Sequence, residues 1–178
     1  MTKKRQTDNV AWEWRESKRA RHQDDLCAGD QVLATLRWQG CFSQRAGGSV
    51  SGEQWAWTFD RPRLLSRDVE VYNPDGERVA VLQVGWWGDG TLAMADGRVF
   101  YWRLQGFLQA HALFVDAAER PVVEFWDSSR WFENRTQVGT PAASLSERDR
   151  ALLILLGRYL MVLKQRDTAV VVATTVCV

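Results

Sequence analysis

Hydrophobic and polar positions alternate along the first three quarters of the chain. Trp12 and Trp14 share one face of a short segment while Glu13 and Arg15 point the other way, because side chains alternate along a strand. The same spacing of tryptophans recurs at residues 55–57. The pattern therefore predicts short, half-buried β-strands.

Turn residues separate these segments. Residues 73–76, Asn-Pro-Asp-Gly, form the clearest turn, because proline presets φ and Asp-Gly supplies the positive φ that closes a hairpin. Further turns are predicted at residues 95–97 and 116–120, and the glycine-rich residues 46–52 are predicted to form a flexible hairpin tip. Residues 85–90 are interpreted as a bulged hairpin turn, because they lack the Gly-Lys-Ser/Thr ending of a phosphate loop.

About a dozen strands are expected, at a spacing of roughly 8–12 residues that is typical of an all-β barrel or sandwich. Their predicted starts are Ala11, Asp24, Gln31, Phe42, Gln54, Asp68, Arg78, Thr91, Arg98, Ala110, Val122 and Asn134.

The periodicity changes near the C-terminus. Residues 144–147, Ser-Leu-Ser-Glu, match a capping box in which the Ser144 side chain accepts from the Glu147 amide. The helix that follows is apolar nearly all round, so lipid or protein must surround it. Its apolar run, residues 151–163, is shorter than the roughly 20 residues of a bilayer span. We therefore expect the sheet to close around this helix, with no transmembrane segment.

These features predict a single domain over residues 1–178. Residues 1–9 are expected to be a flexible tail, 11–138 the β-barrel and 144–166 the central helix. Residues 168–178 are β-branched and apolar, which favours a final strand or an ordered tail. Exposed, they would promote aggregation, so we expect them to pair with a sheet edge or a partner.

Composition agrees with one globular core. The chain has 178 residues, 46% hydrophobic and 25% charged, with a formal net charge of +1 that gives no global argument for nucleic acid or acidic substrates. The N-terminus has no apolar segment after its charged start, so it does not resemble a secretory signal. Cys27, Cys41 and Cys177 follow no disulfide or metal-binding pattern, which favours a reduced, cytoplasmic setting.

The hairpins resemble one another. Residues 29–36 and 76–82 each place a turn glycine and a polar pair before Val, Ala and Leu, and the segment starting at Gly97 repeats the opening. Together with the single hydrophobic C-terminal helix, they resemble the tubby-like, LURP-one-related and phospholipid-scramblase-like superfamily, particularly its small uncharacterised bacterial members. The likeness covers residues 10–166.

This resemblance implies a closed antiparallel barrel of twelve strands around a central hydrophobic helix. In that superfamily, tubby proteins bind phosphoinositide head groups through basic residues, and scramblases have a calcium-binding segment and a membrane-inserted helix. The sequence here has no acidic spacing of the EF-hand kind, and Arg158 interrupts the helix. Neither activity transfers residue by residue.

Basic residues concentrate near the N-terminus. Arg15, Lys18, Arg19 and Arg21 are the candidate contacts for an anion or a partner, such as phosphate head groups. The alternative is a solvated tail and turn.

Tryptophan is the unusual component, with ten residues. Most of them lie in strand patterns, where packing in the barrel wall explains them. Trp86 and Trp87 lie in a glycine-flanked turn and are the candidate interface residues, because exposed indoles stack on ligands or pack on partners.

Arg158 is the candidate buried polar anchor. Inside a barrel its guanidinium needs a carboxylate or several carbonyls, because an unpaired buried charge is very costly. The alternative is that its side chain extends to the barrel rim. We hypothesise that Arg158 fixes the register of the helix.

The sequence shows no catalytic constellation. His22 and His111 lie far apart with no neighbouring metal ligand, and no GxSxG motif is present. We therefore expect a protein that is not an enzyme and has no metal or cofactor.

The predicted function is a cytoplasmic binding or scaffold protein that engages a protein partner or anionic lipid head groups through the barrel rim. Nucleic acid is not an expected partner. The alternative function is a carrier of a small apolar or lipid ligand.

Overall fold

Twelve antiparallel strands close into one barrel around a long helix. The structure, a computed structural model, describes residues 12–40, 43–62, 67–105, 111–127, 135–141 and 145–175, with side chains through Thr168. The elements are β1 (Trp12–Glu16), β2 (Gln23–Ala28), β3 (Gln31–Trp38), β4 (Ala46–Val50), β5 (Ala56–Asp60), β6 (Val69–Tyr72), β7 (Arg78–Val84), β8 (Gly90–Met94), β9 (Val99–Gln105), β10 (His111–Val115), β11 (Pro121–Asp127), β12 (Thr136–Gly139) and α1 (Glu147–Thr175).

Each strand pairs with its neighbours along the chain, and β12 pairs with β1 to close the sheet. This confirms the predicted fold class, a closed antiparallel barrel with one C-terminal helix. The predicted strand starts at Ala11, Phe42, Ala110 and Asn134 lie outside the described residues. The other eight lie within two residues of an observed strand start.

The predicted turns between strands are observed. In the β6–β7 turn, Gly76 has a φ of +82°, and the Asn73 Oδ1 atom accepts from the Glu77 amide at 2.9 Å. Residues 46–52, however, do not form a hairpin tip, because residues 46–50 are strand β4. A Cβ at Gly48 would lie 2.9 Å from Phe59 and 3.1 Å from Leu155, so this glycine allows close packing within the barrel.

The helix begins at Glu147 with a cap at Ser146. The Ser146 Oγ atom accepts from the Asp149 amide at 3.1 Å, and the Ser146 carbonyl accepts from the Arg150 amide at 2.9 Å. The cap is thus the pair Ser146 and Asp149, two residues later than predicted. The predicted capping residue Ser144 lies outside the described residues.

The helix continues through Thr175, so the prediction of a strand from Thr168 is wrong for residues 168–175. The described barrel is closed and offers no sheet edge with which a thirteenth strand could pair. Extending an existing helix adds one hydrogen bond per residue without a new nucleation cost, so helix is the available way to satisfy this backbone. Residues 176–178 lie outside the described residues.

The core lies between the inner wall of the barrel and the helix. Helix residues 152–161 are all buried, including Gly157 and Arg158. The wall contributes large buried side chains, among them Trp14, Leu36, Trp38, Phe59, Leu82, Leu92, Trp102, Phe114 and Phe125. Trp38 stacks on Tyr159 with ring centroids 5.1 Å apart. Much of the tryptophan excess is therefore packing in the wall, as predicted.

The helix runs from one end of the barrel to the other. At its start, Arg98 in the β8–β9 turn donates a hydrogen bond to Asp149, with the Nη1 atom 2.6 Å from Oδ2. At its other end, Arg61, just after β5, holds Asp167 through two hydrogen bonds of 2.8 and 3.0 Å. We call the barrel end next to Asp167 the exit end and the end next to Asp149 the far end.

Replacing Asp149 with asparagine is expected to lower the free energy of unfolding at pH 7 by about 1 kcal/mol, since solvent partly screens this pair. The hydrogen bond from Arg98 lowers the pKa of the Asp149 carboxyl below its usual value. The stabilisation that this carboxylate provides is therefore fully present above a pH of about 3.9, its pKa in the unfolded chain. It is lost as the pH falls through the lower pKa of the folded state.

Urea unfolding between pH 7 and pH 2 measures this difference. The stabilities of Asp149→Asn and the parent should converge at the acid end. The exposed Asp75→Asn substitution at the same barrel end is the control. A difference that persists unchanged at pH 2 would rule out the carboxylate as its cause.

Candidate functional site

Three of the predicted basic residues lie on the turn that joins β1 and β2. Lys18, Arg19 and Arg21 are all exposed. The Ser17 amide donates to the Gln23 carbonyl at 2.8 Å, which closes the turn. Within the described part of the chain, no ion pair is formed by these three side chains, so their charge faces solvent. We call these three residues the basic turn.

Arg15 does not belong to this group. It lies on β1, where its guanidinium forms a 2.9 Å ion pair with Glu13 and a 3.3 Å hydrogen bond to the Gly29 carbonyl, toward the far end. The side-chain hydrogen bond to Glu13 raises the pKa of Arg15. Of the four predicted basic contacts, the structure thus brings together Lys18, Arg19 and Arg21.

Trp86 and Trp87 lie on the β7–β8 turn and extend into solvent. Their side chains are 87% and 86% exposed, respectively, which is more than any other large hydrophobic residue in the described ranges. The Gly85 amide donates to the Asp89 carbonyl at 2.7 Å, closing a tight turn. We call these two residues the tryptophan turn.

Several contacts hold the tryptophan turn in place. The Arg67 Nη1 atom donates to the Trp86 carbonyl at 2.9 Å, and its guanidinium lies 5.3 Å from the centre of the Trp86 ring. The Asp89 carboxylate accepts from the Leu104 amide at 2.9 Å. Gly88 has a φ of +91°, and a Cβ there would lie 2.7 Å from Leu104. The turn is therefore fixed to β9 while its indoles remain exposed.

Sequence reasoning did not identify Arg67 as part of this site. Its position before β6 gives no local signal, and its contact with Trp86 joins residues 19 positions apart.

The basic turn and the tryptophan turn lie at the same end of the barrel. In a barrel of consecutive antiparallel strands, the turns after odd-numbered strands share one end, and β1–β2 and β7–β8 are both of this kind. Asp167 and Arg61 mark this as the exit end. The two turns lie half-way round the barrel from each other, on opposite sides of its mouth, about 20 Å apart from the spacing of strands.

The charges differ between the two ends. At the exit end, Asp167 pairs with Arg61, the Asp89 carboxylate accepts a hydrogen bond from the Leu104 amide, and Glu16 is exposed at the end of β1. The turns of the far end carry exposed side chains of both charges: the carboxylates of Asp30, Glu53, Asp75, Glu77, Asp96 and Glu119 and the guanidiniums of Arg78, Arg98 and Arg120. The fold therefore presents an exposed basic turn at the exit end and, on the far-end turns, more carboxylates than guanidiniums.

The helix is held firmly at the exit end. Arg166 stacks over Trp38, with 3.9 Å between the guanidinium carbon and the ring centre, and donates to the Ser43 carbonyl at 3.1 Å. The Tyr159 hydroxyl donates to the Gln44 carbonyl, and burial raises the pKa of Tyr159. These contacts join the helix to β3 and to Ser43 and Gln44 of the β3–β4 connection.

Arg158 lies inside the barrel and does not extend to the rim. Its side chain is 3% exposed, its Nη2 atom lies 3.0 Å from Asp24 Oδ1, and its Nη1 atom donates to Thr136 Oγ1 at 3.0 Å. The carboxylate required by a buried guanidinium is therefore supplied by β2, and a hydroxyl by β12. The Arg158 Nε atom is buried and has no hydrogen-bond partner among the described residues. This contact joins the helix to the two strands next to β1.

The two histidines lie on different parts of the surface. His22 is exposed in the β1–β2 turn, and His111 lies on the outer wall, stacked on Trp126 with ring centroids 5.3 Å apart. Trp126 is 40% exposed, so it is not a core residue of the kind expected for strand tryptophans. In the described ranges, no three His, Cys, Asp or Glu side chains form a group that could hold a metal ion.

Comparisons with protein families, with curated proteins and with solved structures found no match for this chain. The resemblance to the tubby-like superfamily therefore stays a prediction. Among the residues that the structure describes, no helix has both the length and the hydropathy needed to cross a bilayer.

Proposed function

We propose that this chain is a non-enzymatic, cytoplasmic binding or scaffold protein that docks on anionic lipid head groups through its exit end. The observation that supports this is the placement of the basic turn and the tryptophan turn at the same end of one barrel. Cationic side chains attract an anionic surface at long range, and exposed indoles prefer the region where lipid meets water.

The distribution of charge favours the same orientation. The far-end turns, on which exposed carboxylates outnumber exposed guanidiniums, would be repelled by an anionic surface, while Lys18, Arg19 and Arg21 would be attracted. The electrostatic field of such an uneven charge distribution orients a protein as it approaches a charged surface and raises its association rate at low salt.

The alternative function, a carrier of a small apolar ligand, has less support. Such a carrier needs space inside the barrel, and the helix and the wall fill that interior with side chains such as Leu155, Leu156 and Phe125, all 0% exposed. The groove bordered by Arg37, Ser49 and Thr58 lies on outward-facing positions of the wall and is open to solvent. It is not an enclosed apolar site.

Sedimentation with lipid vesicles tests the proposal. The triple variant Lys18→Ser, Arg19→Ser, Arg21→Ser should bind vesicles of phosphatidylcholine and phosphatidylserine at least about tenfold more weakly than the parent, because each surface cation contributes to anionic binding. Binding of the parent should fall at about 0.5 M salt, where charges are screened.

The control changes the same net charge at the other end of the barrel. Arg78→Ser, Arg120→Ser, Arg148→Ser removes three exposed guanidiniums from the far end and should leave vesicle binding within about twofold of the parent. No sedimentation of the parent with anionic vesicles, or equal losses in the two triple variants, would refute the proposal. The first of these results would favour a protein partner instead.

A further inference from the structure

The tryptophan turn presents two adjacent indoles to solvent at the end of a rigid hairpin. Trp86 and Trp87 are more than 85% exposed, whereas the other tryptophans with described side chains are buried, partly buried or, for Trp126, 40% exposed. Exposing two large apolar side chains together is unfavourable in water, so such pairs mark contact surfaces.

We infer that the Trp86 and Trp87 indoles insert into the interfacial layer of an anionic bilayer, so that the barrel binds with its exit end against the membrane. This inference rests on the proposed function and adds to it a specific insertion element and an orientation. Trp is enriched at the level of lipid head groups, because its ring is apolar while its N–H can still find a hydrogen-bond acceptor.

The turn is organised before it binds. Three hydrogen bonds fix its backbone. The Gly85 amide donates to the Asp89 carbonyl, the Leu104 amide donates to the Asp89 carboxylate, and Arg67 donates to the Trp86 carbonyl. Since little backbone ordering remains, more of the energy of burying the indoles is available for binding.

Arg67 is placed as a positioning residue for this turn. It holds the Trp86 backbone through the carbonyl and keeps a positive charge 5.3 Å from the ring. When the rings are at head-group depth, that guanidinium lies at the level of the lipid phosphates. The same side chain thus supports the turn and adds an attraction to an anionic surface.

The separation of the two turns favours a flat partner. The basic turn and the tryptophan turn lie on opposite sides of the mouth from which α1 emerges. A bilayer that contacts both turns also meets the part of α1 that continues past Asp167 through Thr175, and residues 168–175 carry no charged side chain.

Quenching by brominated lipid tests the insertion directly. Vesicles of phosphatidylserine and phosphatidylcholine brominated near the top of the acyl chains should quench part of the tryptophan fluorescence of the parent. The double variant Trp86→Ser, Trp87→Ser should lose that quenched part and bind at least about tenfold more weakly. The Trp86→Tyr, Trp87→Tyr variant should retain most of the binding, because tyrosine also prefers the interface.

Tyr72→Ser, which removes an aromatic ring from the outer wall toward the far end, is the control and should bind within about twofold of the parent. Binding and quenching in the double variant equal to those of the parent would overturn the insertion and leave electrostatic docking standing. Absence of binding by the parent would overturn both proposals.

Discussion

Replacing Arg158 with leucine is expected to lower the free energy of unfolding by about 3–5 kcal/mol. The substitution removes the guanidinium but leaves the Asp24 carboxylate, whose side chain is 11% exposed, without its partner 3.0 Å away. It also leaves the buried Thr136 hydroxyl without the donor that it has in the parent. Most of the lost stability thus comes from the buried side chains of Asp24 and Thr136, which no longer have the hydrogen bonds from Arg158. Urea unfolding, with midpoint and slope both fitted, measures it.

Two further variants test whether the lost stability comes from leaving Asp24 and Thr136 without Arg158. The double variant Asp24→Leu, Arg158→Leu should recover a large part of the loss, because a buried ion pair replaced by apolar side chains is often nearly neutral. Arg148→Leu, an exposed position on the same helix, should change stability by at most about 0.5 kcal/mol. Unchanged thermal stability and solubility in Arg158→Leu would show that Arg158 is not an anchor for the helix.

The strand pattern was predictable because the barrel has one buried face. Alternation decides which side chains face the core, and turn residues such as those of Asn73–Gly76 end each strand, so local sequence contains both signals. The glycine-rich β4 was missed, because local flexibility at Gly47 and Gly48 resembles a loop. What makes this segment a strand is packing against residues that are distant in sequence, including Leu155.

The partner of Arg158 could not be predicted from local patterns. Asp24 lies 134 residues earlier in the chain, and its strand position gave no indication of burial with a charge. The requirement for a carboxylate or several carbonyls, if Arg158 was buried, did follow from elementary electrostatics, because an unpaired buried charge is very costly. Physical chemistry therefore narrowed the kinds of partner, and only the fold identified the carboxylate of Asp24.

The individual residues of the candidate site were easier to predict from the sequence than their arrangement in space. Charge clustering pointed to Lys18, Arg19 and Arg21, and flanking glycines pointed to Trp86 and Trp87. Both turns come after odd-numbered strands, and turns of this kind share one end of the barrel. Counting the strands predicted from the sequence would therefore have placed the two turns at the same end. Arg15 was grouped with the basic turn by sequence proximity, but its side chain reaches back along β1 to Glu13 and the Gly29 carbonyl.

Gly157→Ala is expected to destabilise the protein by about 3 kcal/mol, although alanine is the better helix former. Gly157 lies in the buried middle of α1, where a Cβ would be 2.2 Å from the Phe125 Cζ atom and 2.4 Å from Cε2. Phe125 is fully buried, so its ring cannot turn into solvent to avoid the clash. The clash opposes a gain in helix propensity of about 1 kcal/mol, and the sign of the measured change shows which effect is larger.

Gly47→Ala is the matched control, because a Cβ there meets no atom within 4 Å and the position is exposed. The change in stability at Gly47 should stay within about 0.5 kcal/mol. Adding Phe125→Leu to Gly157→Ala should restore part of the loss, since a smaller side chain makes room for the new methyl group. If Gly157→Ala instead raises the unfolding midpoint, the helix is not packed against β11 as closely as these distances require. The same close approach explains why a long apolar helix tolerates a glycine at its centre: contact with the wall stabilises this segment more than intrinsic helix propensity does.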